Sequence, residues 1–330
     1  MVNVAINGLG RIGRATLKIL LDTPGLKLAA VNDLIPADNL AYLLKFDTVY
    51  GRWHRDVSAC DNGLKIDGRN YPVLSEKDPA RLPWREMSAA VIFECTGAFR
   101  KRADLEKHIQ AGARSVILSA PAKSEDIPTV IHAVNTATEK SPAIISCASC
   151  TTNCITPVVE IMGRRIGVKK ATMTTIHGYT STQAVVDSGN KDFRRGRAAA
   201  ANLVPASTGA AVATTRALPE FKDRFDGVAV RVPVPVGSLA DIVFVTERGT
   251  SVEEVNRVFT EEAASPRYRE VLAVTKEPIV SSDIIQQTCA SMVDLSLTQV
   301  VDHDLVKIMS WYDNEWGYAN QMVREALDFS

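Results

Sequence analysis

The segment Ser146-Cys147-Ala148-Ser149-Cys150-Thr151-Thr152-Asn153-Cys154 sets three thiols between an apolar run and a helix-like stretch. A thiol in the first turn of a helix has its thiolate favoured by the dipole and by free backbone N–H groups, which could also hold an oxyanion. Two other chemistries stay open for this cluster. Cys147, Cys150 and Cys154 could ligate a metal, although a fourth ligand and a second cluster are lacking. Cys147-x-x-Cys150 could also be a redox pair. The remaining thiols, Cys60, Cys95 and Cys289, read as plain buried side chains.

A nucleophile needs a base, and there are five histidines. His177 lies near the end of an apolar strand in Thr174-Thr175-Ile176-His177-Gly178-Tyr179-Thr180. A strand histidine is more often structural, but the hydroxyls of Thr180, Ser181 and Thr182 mark a polar cleft around this one. His54, His108, His132 and His303 read as loop or solvated-face residues and carry no assigned role. Three arginine features point to an anion. Arg194-Arg195-Gly196-Arg197 is a charge run that by itself would be solvated. Ser207-Thr208-Gly209 follows it with hydroxyls and a pliant backbone. Arg231 interrupts the apolar strand Val228–Val234, where an unpaired charge is costly and a guanidinium fork suits a phosphate ester.

These side chains need a scaffold, and the N-terminal half supplies its signature. Asn7-Gly8-Leu9-Gly10-Arg11-Ile12-Gly13 is a G-x-G-x-x-G turn between the strand Val2–Asn7 and the helix Arg11–Leu21. Gly8 permits the turn, Gly10 lets a pyrophosphate approach the backbone, and Gly13 lets helix and strand pack closely. A second strand, Leu28–Asn32, ends at Asp33, whose carboxylate can accept from both ribose hydroxyls of an adenosine; alternatively Asp33 is a turn residue or helix cap. Ala90–Cys95, Ser115–Ser119 and Ala143–Ser146 read as further strands, with a helix over Asp104–Ala111. The alternation implies a Rossmann-type, doubly wound parallel sheet, with an antiparallel excursion over Val57–Val73.

The second half reads as an α+β domain with a mixed or antiparallel sheet. Lys170–Ile176, Val228–Val234, Asp241–Thr246 and Lys307–Trp311 are its strands and Val252–Ala264 is a helix. Near the end of the chain, Trp316, Met322, Val323, Ala326 and Leu327 fall on one helix face. The expected division is 1–149 for dinucleotide binding, completed by the helix 315–330, and 150–314 for catalysis.

The 330 residues are 46% hydrophobic, with 38 basic and 38 acidic side chains. A neutral chain has no overall field for nucleic acid or an anionic membrane, so neither is an expected partner. No apolar run approaches the ~20 residues of a membrane helix, and a cytosolic protein with reduced thiols is expected.

Taken together, these motifs resemble glyceraldehyde-3-phosphate dehydrogenases. The likeness rests on Asn-Gly-Leu-Gly-Arg-Ile-Gly-Arg at 7–14, Leu-Leu-Lys-Phe-Asp at 43–47 and Ala-Ser-Cys-Thr-Thr-Asn-Cys at 148–154. It continues with Arg-Arg-Gly-Arg-Ala-Ala-Ala at 194–200, Ser-Thr-Gly-Ala-Ala at 207–211 and Trp-Tyr-Asp-Asn-Glu-Trp-Gly-Tyr at 311–318. The resemblance implies oxidation of glyceraldehyde 3-phosphate to 1,3-bisphosphoglycerate with NAD or NADP, using inorganic phosphate, in a homotetramer. It implies Cys150 as nucleophile and His177 as base, with no metal. Thr180, Thr182 and Arg231 would hold the substrate phosphate, and Ser149, Thr151, Thr208, Gly209 and Arg197 the attacking phosphate. The cofactor would lie along Gly8, Gly10, Arg11, Ile12, Gly13, Asp33, Thr96 and Ser119. Asn314 would fix the nicotinamide carboxamide, with Tyr318 near its ring.

Two departures stand out. The family's usual Asn before Ala-Ser-Cys is Cys147 here, which suggests an oxidation switch through a Cys147–Cys150 disulfide. Ser188-Gly189 is smaller and more polar than the pair that strictly NAD-dependent relatives carry, which points toward NADP, whereas Asp33 points toward NAD. A related enzyme acting on erythrose 4-phosphate is the nearest alternative, but its relatives tend to lose the Ser-Thr-Gly element that is intact at 207–209.

Overall fold

The computed structural model describes residues 1–135 and 143–329. The chain divides into two compact units. The first holds the chain up to His132, the stretch ending at Ala148, and the residues from Ala319 onward; the second holds Ala133–Asn135 and Ser149–Tyr318.

In the first unit, β1 (Val2–Asn7) leads through the glycine turn to α1 (Arg11–Leu21), followed by β2 (Leu26–Asn32) and α2 (Ala37–Lys45). The short strands β3 (Phe46–Asp47) and β4 (Gly51–Arg52) pair with each other. Then come β5 (Val57–Cys60), β6 (Gly63–Ile66), β7 (Arg69–Leu74), β8 (Val91–Glu94), α3 (Arg102–Gln110), β9 (Ser115–Leu118) and β10 (Ile144–Ser146). One sheet runs β10-β9-β8-β1-β2-β7-β6-β5. It is parallel from β10 to β7 and antiparallel through β6 and β5, the excursion expected from the turn residues. The central strands are apolar on both faces, as a sheet covered on both sides requires: every residue of β8 and β9 is buried. β2 starts two residues earlier than its apolar run suggested, because Leu26 and Leu28 are both buried around exposed Lys27.

The second unit opens with α4 (Cys150–Arg165) and β11 (Val168–Gly178). It continues with β12 (Val204–Ser207), α5 (Ala210–Ala217), β13 (Phe225–Val232), β14 (Ser238–Thr246) and α6 (Val252–Ala264). The strands β15 (Leu272–Thr275), β16 (Ser291–Asp294), β17 (Gln299–Val301) and β18 (Leu305–Tyr312) complete the set. Its mixed sheet runs β12-β13-β11-β14-β18-β16-β15, with β17 beside β18. β11 has partners on both sides up to Ile176, and its ladder with β13 carries the strand past the apolar run to His177 and Gly178. β13 is shifted toward the N-terminus relative to the expected Val228–Val234. Pro233 has no N–H to continue a ladder, while Phe225 to Gly227 find partners on β11. Pro157 lies inside α4, beyond the first turn, and the helix runs through it.

The last helix, α7 (Trp316–Leu327), buries Met322, Val323 and Ala326, and from Ala319 its residues group with the first unit. Ser330, the end of the expected helix, lies outside the described residues.

Candidate active site

Ser149 caps α4, its hydroxyl accepting from the Thr152 N–H at 3.2 Å. The cap leaves Cys150 as the first helical residue, in the turn where backbone N–H groups have no intrahelical partner. The Cys150 thiol lies 3.4 Å from Nε2 of His177. Sheet register supplies the next member: β11 and β13 run parallel with His177 beside Arg231, so the two side chains share one face. Arg231 brings Nη1 to 2.5 Å from His177 Nδ1 and donates to the Gly178 carbonyl at 3.1 Å. The Arg231 Nε is buried without a hydrogen-bond partner among the described residues. Beneath the pair, the Tyr312 hydroxyl meets Thr151 Oγ1 at 2.9 Å and Thr175 Oγ1 at 2.6 Å, and its ring packs edge-on to His177.

Burial and charge set the protonation of this group. Burial pushes the Cys150 thiol up, and the Arg231 cation and the Thr151 hydroxyl pull it back. Burial first, and then Arg231, pull His177 down to about 3. The resting pair is therefore a neutral thiol beside a neutral imidazole. Nδ1 faces two competing partners, the Gly178 carbonyl oxygen at 2.6 Å, which accepts, and Arg231 Nη1 at 2.5 Å, which only donates, while Nε2 faces the thiol.

Next to this group lies a second anion-suited set. Thr180 and Thr182 join hydroxyls at 2.9 Å, and Arg195 donates to Thr182 Oγ1 at 3.0 Å. Arg195 also pairs with Asp192 at 3.1 Å, within the short 3-10 turn Phe193–Gly196. Thr208 Oγ1 accepts from the Ala210 N–H, and Gly209 caps α5 with open space where a Cβ would stand. Arg197, the arginine expected here, points elsewhere: its side chain is largely exposed and pairs with Asp187 at 2.8 Å. Arg195 stands in the cluster instead. The three arginines of the run are alike in sequence; the signal that separates them is Asp192, three residues before Arg195.

The glycine turn of the first unit fits a dinucleotide by a direct test. A Cβ on Gly8, which has φ +92°, would meet the Thr96 N at 2.7 Å, and one on Gly13 would meet the Gly8 carbonyl oxygen at 1.9 Å. A Cβ on Gly10 meets nothing within 4 Å. Two of the glycines are thus required by the fold, and Gly10 faces open space. No side chain caps α1, so its N-terminus offers N–H groups to a phosphate. Asp33 is anchored by the N–H groups of Leu9 at 2.6 Å and Ile35 at 2.9 Å. Arg11 pairs with Asp47 and lies over the Tyr50 ring, next to half-buried Ile12. Thr96 is exposed and bonded to Glu94, and Ser119 follows β9 with its N–H on the Glu94 carbonyl. In the second unit the Asn314 side-chain oxygen accepts from Gly237 N at 3.1 Å and Ser238 Oγ at 2.9 Å, which turns its NH₂ group outward as a donor. Tyr318 is buried in the first turn of α7.

Comparison with known proteins agrees with this geometry. The family model for the glyceraldehyde 3-phosphate dehydrogenase NAD binding domain matches residues 2–102, and the one for the C-terminal domain of the same enzyme matches 149–314. The chain belongs to the glyceraldehyde-3-phosphate dehydrogenase family. It is 45% identical to the glyceraldehyde-3-phosphate dehydrogenase of Streptomyces coelicolor over 98% of this chain and 96% of the relative. It is 44% identical to that of Geobacillus stearothermophilus and 44% identical to enzyme 1 of Bacillus subtilis, each over 98% of this chain and 96% of the relative.

Within this family fold, two sequence readings change. His108 is not on a solvated face: it is fully buried, bonded to Trp84 and Glu94. Cys60 and Cys95 are partly exposed rather than buried, whereas Cys289 is buried. Cys147 is buried, and burial pushes its thiol well above the usual range. No helix among the described residues is long and apolar enough to cross a membrane.

Proposed function

We propose that this chain oxidises glyceraldehyde 3-phosphate to 1,3-bisphosphoglycerate, with inorganic phosphate as second substrate. The observation that carries the reading is the Cys150–His177–Arg231 group, fixed by a helix cap and a strand register. Substrate phosphate lies against Arg231, Arg195, Thr180 and Thr182. A dianion there draws Arg231 from Nδ1 and cancels the charge that holds His177 down, so the imidazole becomes a better base. His177 takes the thiol proton as Cys150 attacks the aldehyde, giving a hemithioacetal whose oxyanion the imidazolium and the α4 N-terminus hold. NAD held by the first unit would supply the hydride acceptor that turns the hemithioacetal into a thioester. The resulting Cys150 thioester is opened by phosphate placed by Ser149, Thr151, Thr208 and Gly209, and His177 returns its proton. Residues 1–149 with the last helix take the dinucleotide, through Gly8–Gly13, Asp33, Thr96 and Ser119. Residues 150–314 carry the chemistry, and Asn314 and Tyr318 position the nicotinamide.

The exposed apolar stretch that contains Val185, Val186, Phe193 and Leu203 supports assembly into a homotetramer. Ser188-Gly189 supports use of NADP beside NAD. The deciding experiment is NADH and NADPH formation from glyceraldehyde 3-phosphate, with and without inorganic phosphate, for wild type and Cys150→Ser. Phosphate-dependent turnover that the variant lacks is expected; turnover on erythrose 4-phosphate alone would overturn the substrate assignment.

A further inference from the structure

The reaction scheme leaves several buried titratable groups unused, Glu94 among them. Glu94, at the carboxyl end of β8, has no solvent exposure, and four donors face its two oxygens. They are the Thr96 N–H at 2.8 Å, the Thr96 hydroxyl, the Asn7 amide at 2.6 Å and His108 Nε2 at 3.1 Å. The His108 donor follows from its other nitrogen. Trp84 Nε1–H can only donate, and it lies 3.0 Å from His108 Nδ1, so Nδ1 is the lone pair and Nε2 carries the proton. Four donors with no acceptor are the surroundings of a carboxylate. The chain of bonds continues outward. Asn7 Oδ1 accepts from Asn32 at 2.7 Å, and Asn32 Oδ1 from the Glu76 N–H at 2.9 Å. One carboxylate therefore ties together the ends of β1, β2 and β8, the three strand ends from which the dinucleotide loops depart.

The tie bears directly on the glycine turn. Gly8 packs so closely on Thr96 that a Cβ would come within 2.7 Å of its N, and Glu94 holds Thr96 by both N–H and hydroxyl. Any shift of Glu94 moves the surface on which the pyrophosphate turn rests. We propose that Glu94, held by a His108 locked in one tautomer by Trp84, is a positioning residue for the cofactor: it sets the spacing of the Gly8 turn and the Thr96 loop, and with it the affinity for NAD.

The proposal rests on the dehydrogenase reading, and the test separates the two. In the full-length protein, NAD binding by titration and steady-state kinetics are compared for wild type, Glu94→Gln, His108→Leu and His108→Gln. His108→Leu removes the donor, whereas His108→Gln returns an N–H near the position of Nε2. The expected result is a rise of about tenfold in Kd and KM for NAD in His108→Leu, kcat and the KM for triose phosphate within about twofold of wild type, and most of the affinity regained in His108→Gln. Glu94→Gln is expected to move the NAD KM in the same direction. A variant that loses kcat and both KM values together, or a Leu variant that binds NAD as wild type does, overturns the proposal. Should Glu94→Gln fail to fold, the two His108 variants decide it alone. Wild type that does not bind NAD removes the dehydrogenase reading itself, and this inference with it.

Discussion

At the scale of single residues, the site works by holding His177 uncharged. Burial and Arg231 place its folded value at about 3, below the ordinary 6.5. Between those values the unfolded chain binds a proton that the folded one refuses, so stability falls as pH drops from about 6.5 toward about 3, by up to ~1.4 kcal/mol per unit. His177→Asn should flatten that slope: urea midpoints at pH 7 and 5.5 should lie closer together in the variant than in wild type, and equal spacing would refute the assignment. The same electrostatics give Arg195 and Arg197 different fates. Arg195→Leu should raise the KM for triose phosphate about tenfold, the loss of one charge-assisted contact. Arg197→Leu, which breaks only an exposed pair with Asp187, should leave it nearly unchanged. The meeting of Cys150 and His177 was legible because a thiol beside a helix start and a histidine among hydroxyls are local signals. Arg195 was not, since the one local signal that separates it from Arg194 and Arg197 is Asp192 three residues before it, whose effect depends on the 3-10 turn between them. His108 was misread for a related reason: its partners Trp84 and Glu94 are 24 and 14 residues away, and no local pattern shows them.

At the scale of elements, the glycine turn divides its labour cleanly. Gly13→Ala forces a Cβ to 1.9 Å from the Gly8 carbonyl, so helix and strand must part and the variant should melt several degrees lower or fail to fold. Gly10→Ala meets no protein atom. It should melt within about two degrees of wild type and yet lose NAD affinity by at least tenfold, seen by titration; retained affinity would place the pyrophosphate elsewhere. Most elements could be read from periodicity, because the apolar runs of β1, β8, β9 and β14 coincide with burial. The failures lie at strand ends. β11 runs two residues beyond its apolar pattern because its ladder with β13 continues to Gly178 after the one with β14 has ended at Ile176. Those extra residues include His177, so the element that positions the base extends beyond its hydrophobic signal. β13 shows the converse, with Pro233 ending a ladder that hydrophobicity alone would continue.

At the scale of the whole chain, the proposed assembly is tested at its exposed apolar stretch. Val186 and Phe193 are 70% and 88% exposed, and glutamates at both should drive the assembly to smaller species in sedimentation velocity while leaving far-UV circular dichroism unchanged. An unaltered sedimentation coefficient would show that this stretch does not hold copies together. The path of the chain has a further result. The first unit is built from residues at both ends of the order of synthesis, since the residues from Ala319 onward, with buried Met322 and Ala326, group with those before Ala148. A ribosome delivers the catalytic unit in between. The nascent dinucleotide unit must therefore wait, incomplete, until the whole of the second unit has emerged. That interval is when a holding chaperone has most to bind, and the enzyme cannot begin to turn over on the ribosome however early its nucleophile is folded.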